Sequence, residues 1–224
     1  MKTCVEPPMD DADLTDAQTV ALNYAAPAAR PVYRSLFAFE TRLGRMVAGA
    51  REPALVQIRM AWWREQLQGL DDRPHSDPLL RLLTQSGWAA RSRDLVEMVD
   101  GWEALLFYRE NATTLPDSIR ARTAGYAAAA RLLGMEADGA AVAEGARWWV
   151  AADALHHLRA GGDDASVQDL TQGWPIRLPR LPRQLRPVSV LAALGQRSLL
   201  RGGQPPLSRR GDALAALRVG LVGR

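Results

Sequence analysis

Apolar residues return every three or four positions along most of this chain, and nowhere do β-branched residues alternate over the length of a strand. A period near 3.6 gathers such residues on one side of a helix and would scatter them over both faces of a strand, so the pattern restricts the fold to helix packed on helix. Thr15 and Gln18 stand at capping-box spacing and open a first helix over about 13–24, which Pro27 and Pro31 close. From Val32, the series Tyr33, Leu36, Phe37, Phe39, Leu43, Met46 and Val47 predicts a second helix ending at Gly49. Pro53 starts a third, to Leu70, with Leu55, Ile58, Trp62 and Leu67 expected along one side.

After a loop of Asp71, Asp72, Pro74, Ser76, Asp77 and Pro78, further helical patterns cover about 78–86, 89–110, 115–133 and 137–160. The stretch 161–185 is dense in Gly and Pro and reads as loop, and shorter helices follow near 188–201 and 209–222. The predicted class is all-α, a large bundle of seven to nine helices rather than four. Its organisation reads as a flexible leader over 1–11, a helical domain over 12–160, a Gly/Pro-rich loop over 161–187, and C-terminal basic helices over 188–224 packed on the same body.

The stretch RMAWWREQL at 59–67 bears on how deeply the third helix is buried. Neighbouring helical positions point about 100° apart, so one apolar face cannot take both Trp62 and Trp63. Either this helix is buried on more than one side, or one ring lines a cavity. Trp148 and Trp149 repeat the pair and strengthen the first alternative.

At 224 residues with 47% hydrophobic residues, the chain can bury a sizeable core. No run reaches the roughly 18 consecutive apolar residues of a membrane helix, and MKTCVEPPMDDAD holds no apolar signal core. The expected location is the cytoplasm, at most peripheral at the inner membrane. Cys4 is the single cysteine, which excludes an internal disulfide and argues against redox chemistry. Lys2 is the only lysine, and over 172–224 ten arginines face one acid, Asp212. That stretch is either a solvated basic surface or a contact for anionic lipid, nucleic acid or an acidic partner. Only Trp174 offers a ring for base stacking there, so no nucleic-acid partner is expected. Phosphate-loop, dinucleotide, zinc-protease and serine-hydrolase motifs do not occur.

The order LFAFETRLGRMV, AREP, QIRMAWWREQL resembles the first third of the squalene/phytoene synthase family, and MVDGWEALLFY is similar to a later helix of that family. The resemblance spans about 17–160. It implies an isoprenoid-synthase-like helical fold around a central cavity, where two aspartate motifs on facing helices hold Mg²⁺ for the diphosphates of two prenyl substrates. Such chemistry needs hard oxygen ligands and neutralisation of the leaving diphosphate.

Aligned on Ala38-Phe39, the first motif's acids are replaced by Gly44, Arg45 and Ala48. Anchored on Gly145, the second places His156 at its terminal aspartate, with Asp153 the acid nearby; Asp100 survives in the third match. Glu40 is either a displaced acid facing the cavity or half of a surface or helix-to-helix ion pair with Arg42 or Arg45. Asp153, His156 and His157 form D-x-x-H-H, either a metal half-site or a helix end where imidazole favours the dipole. Trp62, Trp63 and Trp149 are core packing or cavity lining.

With both metal motifs vacant, the expectation is a degenerate cavity and a non-catalytic protein, closest to the branch of that family that assists assembly of respiratory complex I. No catalytic residue, metal or cofactor is expected. A protein partner at the membrane surface, or an isoprenoid or other lipid ligand, would take their place. The alternative is a prenyltransferase with an atypical site that condenses two prenyl diphosphates and uses Mg²⁺.

Overall fold

The computed structural model describes residues 14–49, 52–71 and 74–223, so the expected leader over 1–11, Cys4, Lys2 and Asp72 lie outside the described residues. Ten α-helices follow one another with no strand among the described residues: α1 (Asp16–Asn23), α2 (Arg30–Ala48), α3 (Pro53–Gln68), α4 (Pro78–Gln85), α5 (Ser92–Ala104), α6 (Thr114–Leu132), α7 (Gly139–Ala160), α8 (Val167–Thr171), α9 (Arg186–Leu199) and α10 (Arg210–Val222). The all-α bundle is the architecture that the apolar period demanded, but the described helices number one more than the expected seven to nine: α8, capped by Ser166, forms inside the stretch read as loop.

Local chemistry sets the helix starts. Thr15 and Gln18 form the reciprocal capping box of α1. The Asp77 carboxylate accepts the Leu79 and Leu80 N–H groups at 2.7 and 3.1 Å, and Pro78 occupies the first turn of α4, where its missing donor costs nothing. Pro31 likewise falls inside the first turn of α2, which therefore begins two residues before the expected Val32.

Helix α3 departs from expectation. It carries two apolar arcs on opposite sides, and the bundle buries Val56, Met60, Trp63 and Leu67, leaving Leu55, Ile58 and Trp62 in solvent. Leu67 thus belongs with the opposite arc from the one predicted. Trp63 is 2% exposed and meets Phe39 of α2 edge-on with ring centroids 5.3 Å apart, whereas Trp62 is 42% exposed. With apolar residues on both arcs, periodicity could not choose the inner one; packing against α2 and α5 does.

The core centres on α6, α7 and α9. Two glycines allow its closest approaches: a Cβ at Gly101 of α5 would stand 2.8 Å from the Arg122 side chain of α6, and one at Gly195 of α9 would fall on the Trp148–Trp149 backbone of α7. Helix α7 is apolar nearly all round and buries Trp148 and Trp149. The Gly/Pro-rich stretch contains α8 and lies against α7 and α9. Trp174 meets Trp148 edge-on at 5.0 Å, Leu181 and Leu185 are buried, and Gln196 Nε2 donates to the Ile176 carbonyl at 2.6 Å. Helix α10 closes against α9 through Asp212, which accepts from Arg197 Nε at 2.9 Å and Arg201 Nη2 at 2.8 Å. Part of the basic stretch is thereby internal structure.

Candidate functional site

Six of the seven positions singled out as degenerate, Glu40, Gly44, Arg45, Ala48, Asp153 and His156, line one cavity of about 300 Å³. Helix α2 delivers Glu40, Gly44 and Ala48 at intervals of four, one above another on a single face, and α7 brings Asp153 and His156 to the same space. Trp102 and His157, not singled out as cavity residues, line it too.

Asp100 stands elsewhere. It accepts Arg64 Nε at 2.6 Å, with Arg64 also bound to Glu103, and its side chain is half exposed. That pair ties α5 to α3. Trp62, Trp63 and Trp149 do not line the cavity either; the first is on the surface and the other two are in the core.

Between the two acids lies Arg122 of α6, fully buried. Its Nη2 donates to Asp153 Oδ2 at 2.5 Å, and its Nε and Nη2 both reach Glu40 Oε1 at 3.3 Å. Tyr126 donates its hydroxyl to the other Glu40 oxygen at 2.7 Å, and the guanidinium carbon lies 3.6 Å from the centre of the Trp102 ring. One arginine thus binds two carboxylates and an indole face.

The electrostatics follow from this geometry. Burial pushes the Glu40 carboxyl above its ordinary range against the pull of Arg122. Burial acts on Asp153 in the same direction, but Arg122 and His157 outweigh it and hold that acid below its ordinary range. Burial also lowers the His157 imidazole, against the pull of Asp153 from 3.8 Å.

Gly44 leaves no room for a longer side chain. A Cβ at that position would stand 2.9 Å from the Trp102 ring and 3.1 Å from His157 Nε2, so the two rings fill the space of a longer side chain. They also meet each other edge-on at 4.9 Å. Residues of this kind do not fit a magnesium cluster: the facing acids already share a guanidinium, and Arg45 lines the wall. Among the described residues no three His, Cys, Asp or Glu side chains converge as a metal-holding group. The D-x-x-H-H sequence serves this network, with Asp153 engaged by Arg122.

Arg122 escaped the sequence reading, although a signal was present. It sits four residues from Ser118 and from Tyr126, a lone charge on the buried stripe of α6. A charge on such a stripe calls for a buried partner. The partner, Glu40, lies 82 residues away.

The fold and the site together define an all-α helical bundle whose two central carboxylates share one buried arginine. No family model, curated protein or solved structure matches the chain. No helix among the described residues is long and apolar enough to cross a membrane.

Proposed function

We propose that this protein is a non-catalytic relative of squalene/phytoene synthases, acting as a binding or assembly protein at a membrane surface. One observation carries the reading: the Arg122 guanidinium lies between Glu40 and Asp153, so these acids meet an internal cation. A prenyl synthase would offer facing acids to Mg²⁺ and leave the diphosphate within reach of the metal. In this chain Arg122 occupies the space between the acids, and Trp102 and His157 occupy the room beside Gly44. The cavity of about 300 Å³ lies at the lower end of ligand-pocket sizes, small for two prenyl chains. On this reading the body is a scaffold, and its partner is a protein, such as a respiratory-complex subunit, met from the membrane face without insertion.

The test is Mg²⁺-dependent diphosphate release from farnesyl and geranylgeranyl diphosphate, with thermal unfolding followed alongside. The expected result is no turnover above a heat-treated control and no Mg²⁺-linked rise in Tm. Turnover would instead establish a prenyltransferase in which Glu40 and Asp153 work despite Arg122.

A further inference from the structure

Helix α10 presents the wrong side to water. Its inward side holds Asp212 and Ala216, while Leu214, Leu217 and Leu221 point outward and are 65%, 47% and 68% exposed. Their spacing of three and four places them on one ridge opposite the buried pair, and exposed Val222 lies to one side of its end. A surface helix of a soluble bundle shows the reverse order, apolar inside and polar outside.

The described charges on this helix's outer side and in the cleft beside it are arginines. Arg210 stands one turn before Leu214, and Arg218 borders the ridge. Beside α10 a cleft of about 340 Å³ is lined by Arg177, Arg180 and Arg218 together with Pro179, Gln196 and Val219, and among the described residues no acid lines it. The only acid of 172–224, Asp212, is buried beneath Arg197 and Arg201.

We propose that α10 is a docking surface for an anionic lipid bilayer. The helix lies in the plane of the interface, its leucines among the first acyl carbons. The arginines of the ridge and the adjoining cleft meet headgroup phosphates. A second copy of this chain fits the face poorly, because pairing two such surfaces sets arginine against arginine. A groove-shaped protein partner would suit the leucines but leave the basic cleft without a counter-charge. The inference rests on the peripheral part of the function proposed above and is independent of the state of the cavity.

The experiment is co-sedimentation of the full chain with vesicles of phosphatidylglycerol and phosphatidylcholine in equal parts, with pure phosphatidylcholine vesicles as the neutral arm. Wild type is compared with L214Q/L217Q/L221Q and with R177E/R180E, all checked by circular dichroism. These side chains lie at the surface, so the folds survive. The expected result is binding to the anionic vesicles only, weakened roughly tenfold or more in either variant, since apolar area and basic charge both contribute. Added salt weakens it, and free glycerol phosphate leaves it unchanged. Absence of binding to the anionic vesicles would overturn the proposal. So would a leucine variant that binds like wild type, or a wild-type dimer in solution that the leucine variant dissolves. Diphosphate release is read separately, so failure here leaves the test of the cavity untouched.

Discussion

Arg122 Nη2 lies 2.5 Å from Asp153 Oδ2, and the same nitrogen is 3.3 Å from Glu40. Helices α2, α6 and α7 are thereby joined at one charged point inside an apolar body. Removing one member of such a network leaves the others charged and unpaired in a medium that solvates them poorly. Arg122→Met is therefore expected to lower unfolding free energy by about 3–5 kcal/mol in urea titrations. The combined variant R122M/E40Q/D153N removes the stranded charges as well, and its stability should recover part of that loss.

Gly44→Asp tests whether α2 can carry an acid at this point of the cavity wall. The new side chain must displace Trp102 or His157, and overpacking of this kind costs about 1–3 kcal/mol. The variant should unfold at lower temperature than wild type and gain no Mg²⁺-linked stabilisation. A variant that became both stable and Mg²⁺-responsive would show that the acid position is still usable.

The paired tryptophans of α3 should separate cleanly. Trp63→Ala removes a buried ring that packs on Phe39 and is expected to cost about 3–5 kcal/mol. Trp62→Ala removes a half-exposed ring that meets Trp63 edge-on at 5.1 Å, and its effect should be about 0.5–1.5 kcal/mol, well below that of Trp63→Ala. Chemical denaturation of both single variants decides the matter.

His157 makes stability fall on acidification. Its folded imidazole titrates below the ordinary 6.5, so below that pH the unfolded chain takes up a proton that the native state resists. The unfolded state gains, and stability drops until pH passes the lowered folded value. Glu40 acts oppositely: its raised carboxyl binds its proton more readily in the folded state, which favours folding as pH falls through that range. Comparing wild type with His157→Gln between pH 7 and 5 isolates the first contribution. The variant should lose less stability than wild type over that interval.

Asp212 should control the attachment of α10. Its buried carboxylate accepts from Arg197, Arg201 and the Arg209 backbone. Asp212→Ala breaks these charge-assisted bonds, costing about 1.5–3 kcal/mol because Arg197 stays partly solvated. Limited proteolysis should cleave between α9 and α10 before any other site.

The helices were legible because their determinants are local. The 3.6-residue return of Leu, Ala and Phe, the Thr15–Gln18 box, and the prolines at helix starts act within a few neighbouring residues, so the chain carries them wherever it is read. Spacings of four along α2 place Glu40, Gly44 and Ala48 on one face of that helix. The tertiary structure alone decided which of two apolar arcs of α3 faces inward, that Asp100 turns to Arg64 and away from the cavity, and that Arg122 enters between Glu40 and Asp153. The reason is physical: a helix fixes the direction of its own side chains, but whether a charge on it meets water, an opposite charge or a ring depends on helices tens of residues away. Arg122 and Glu40 are 82 residues apart, and only the packing of α2 on α6 makes them neighbours.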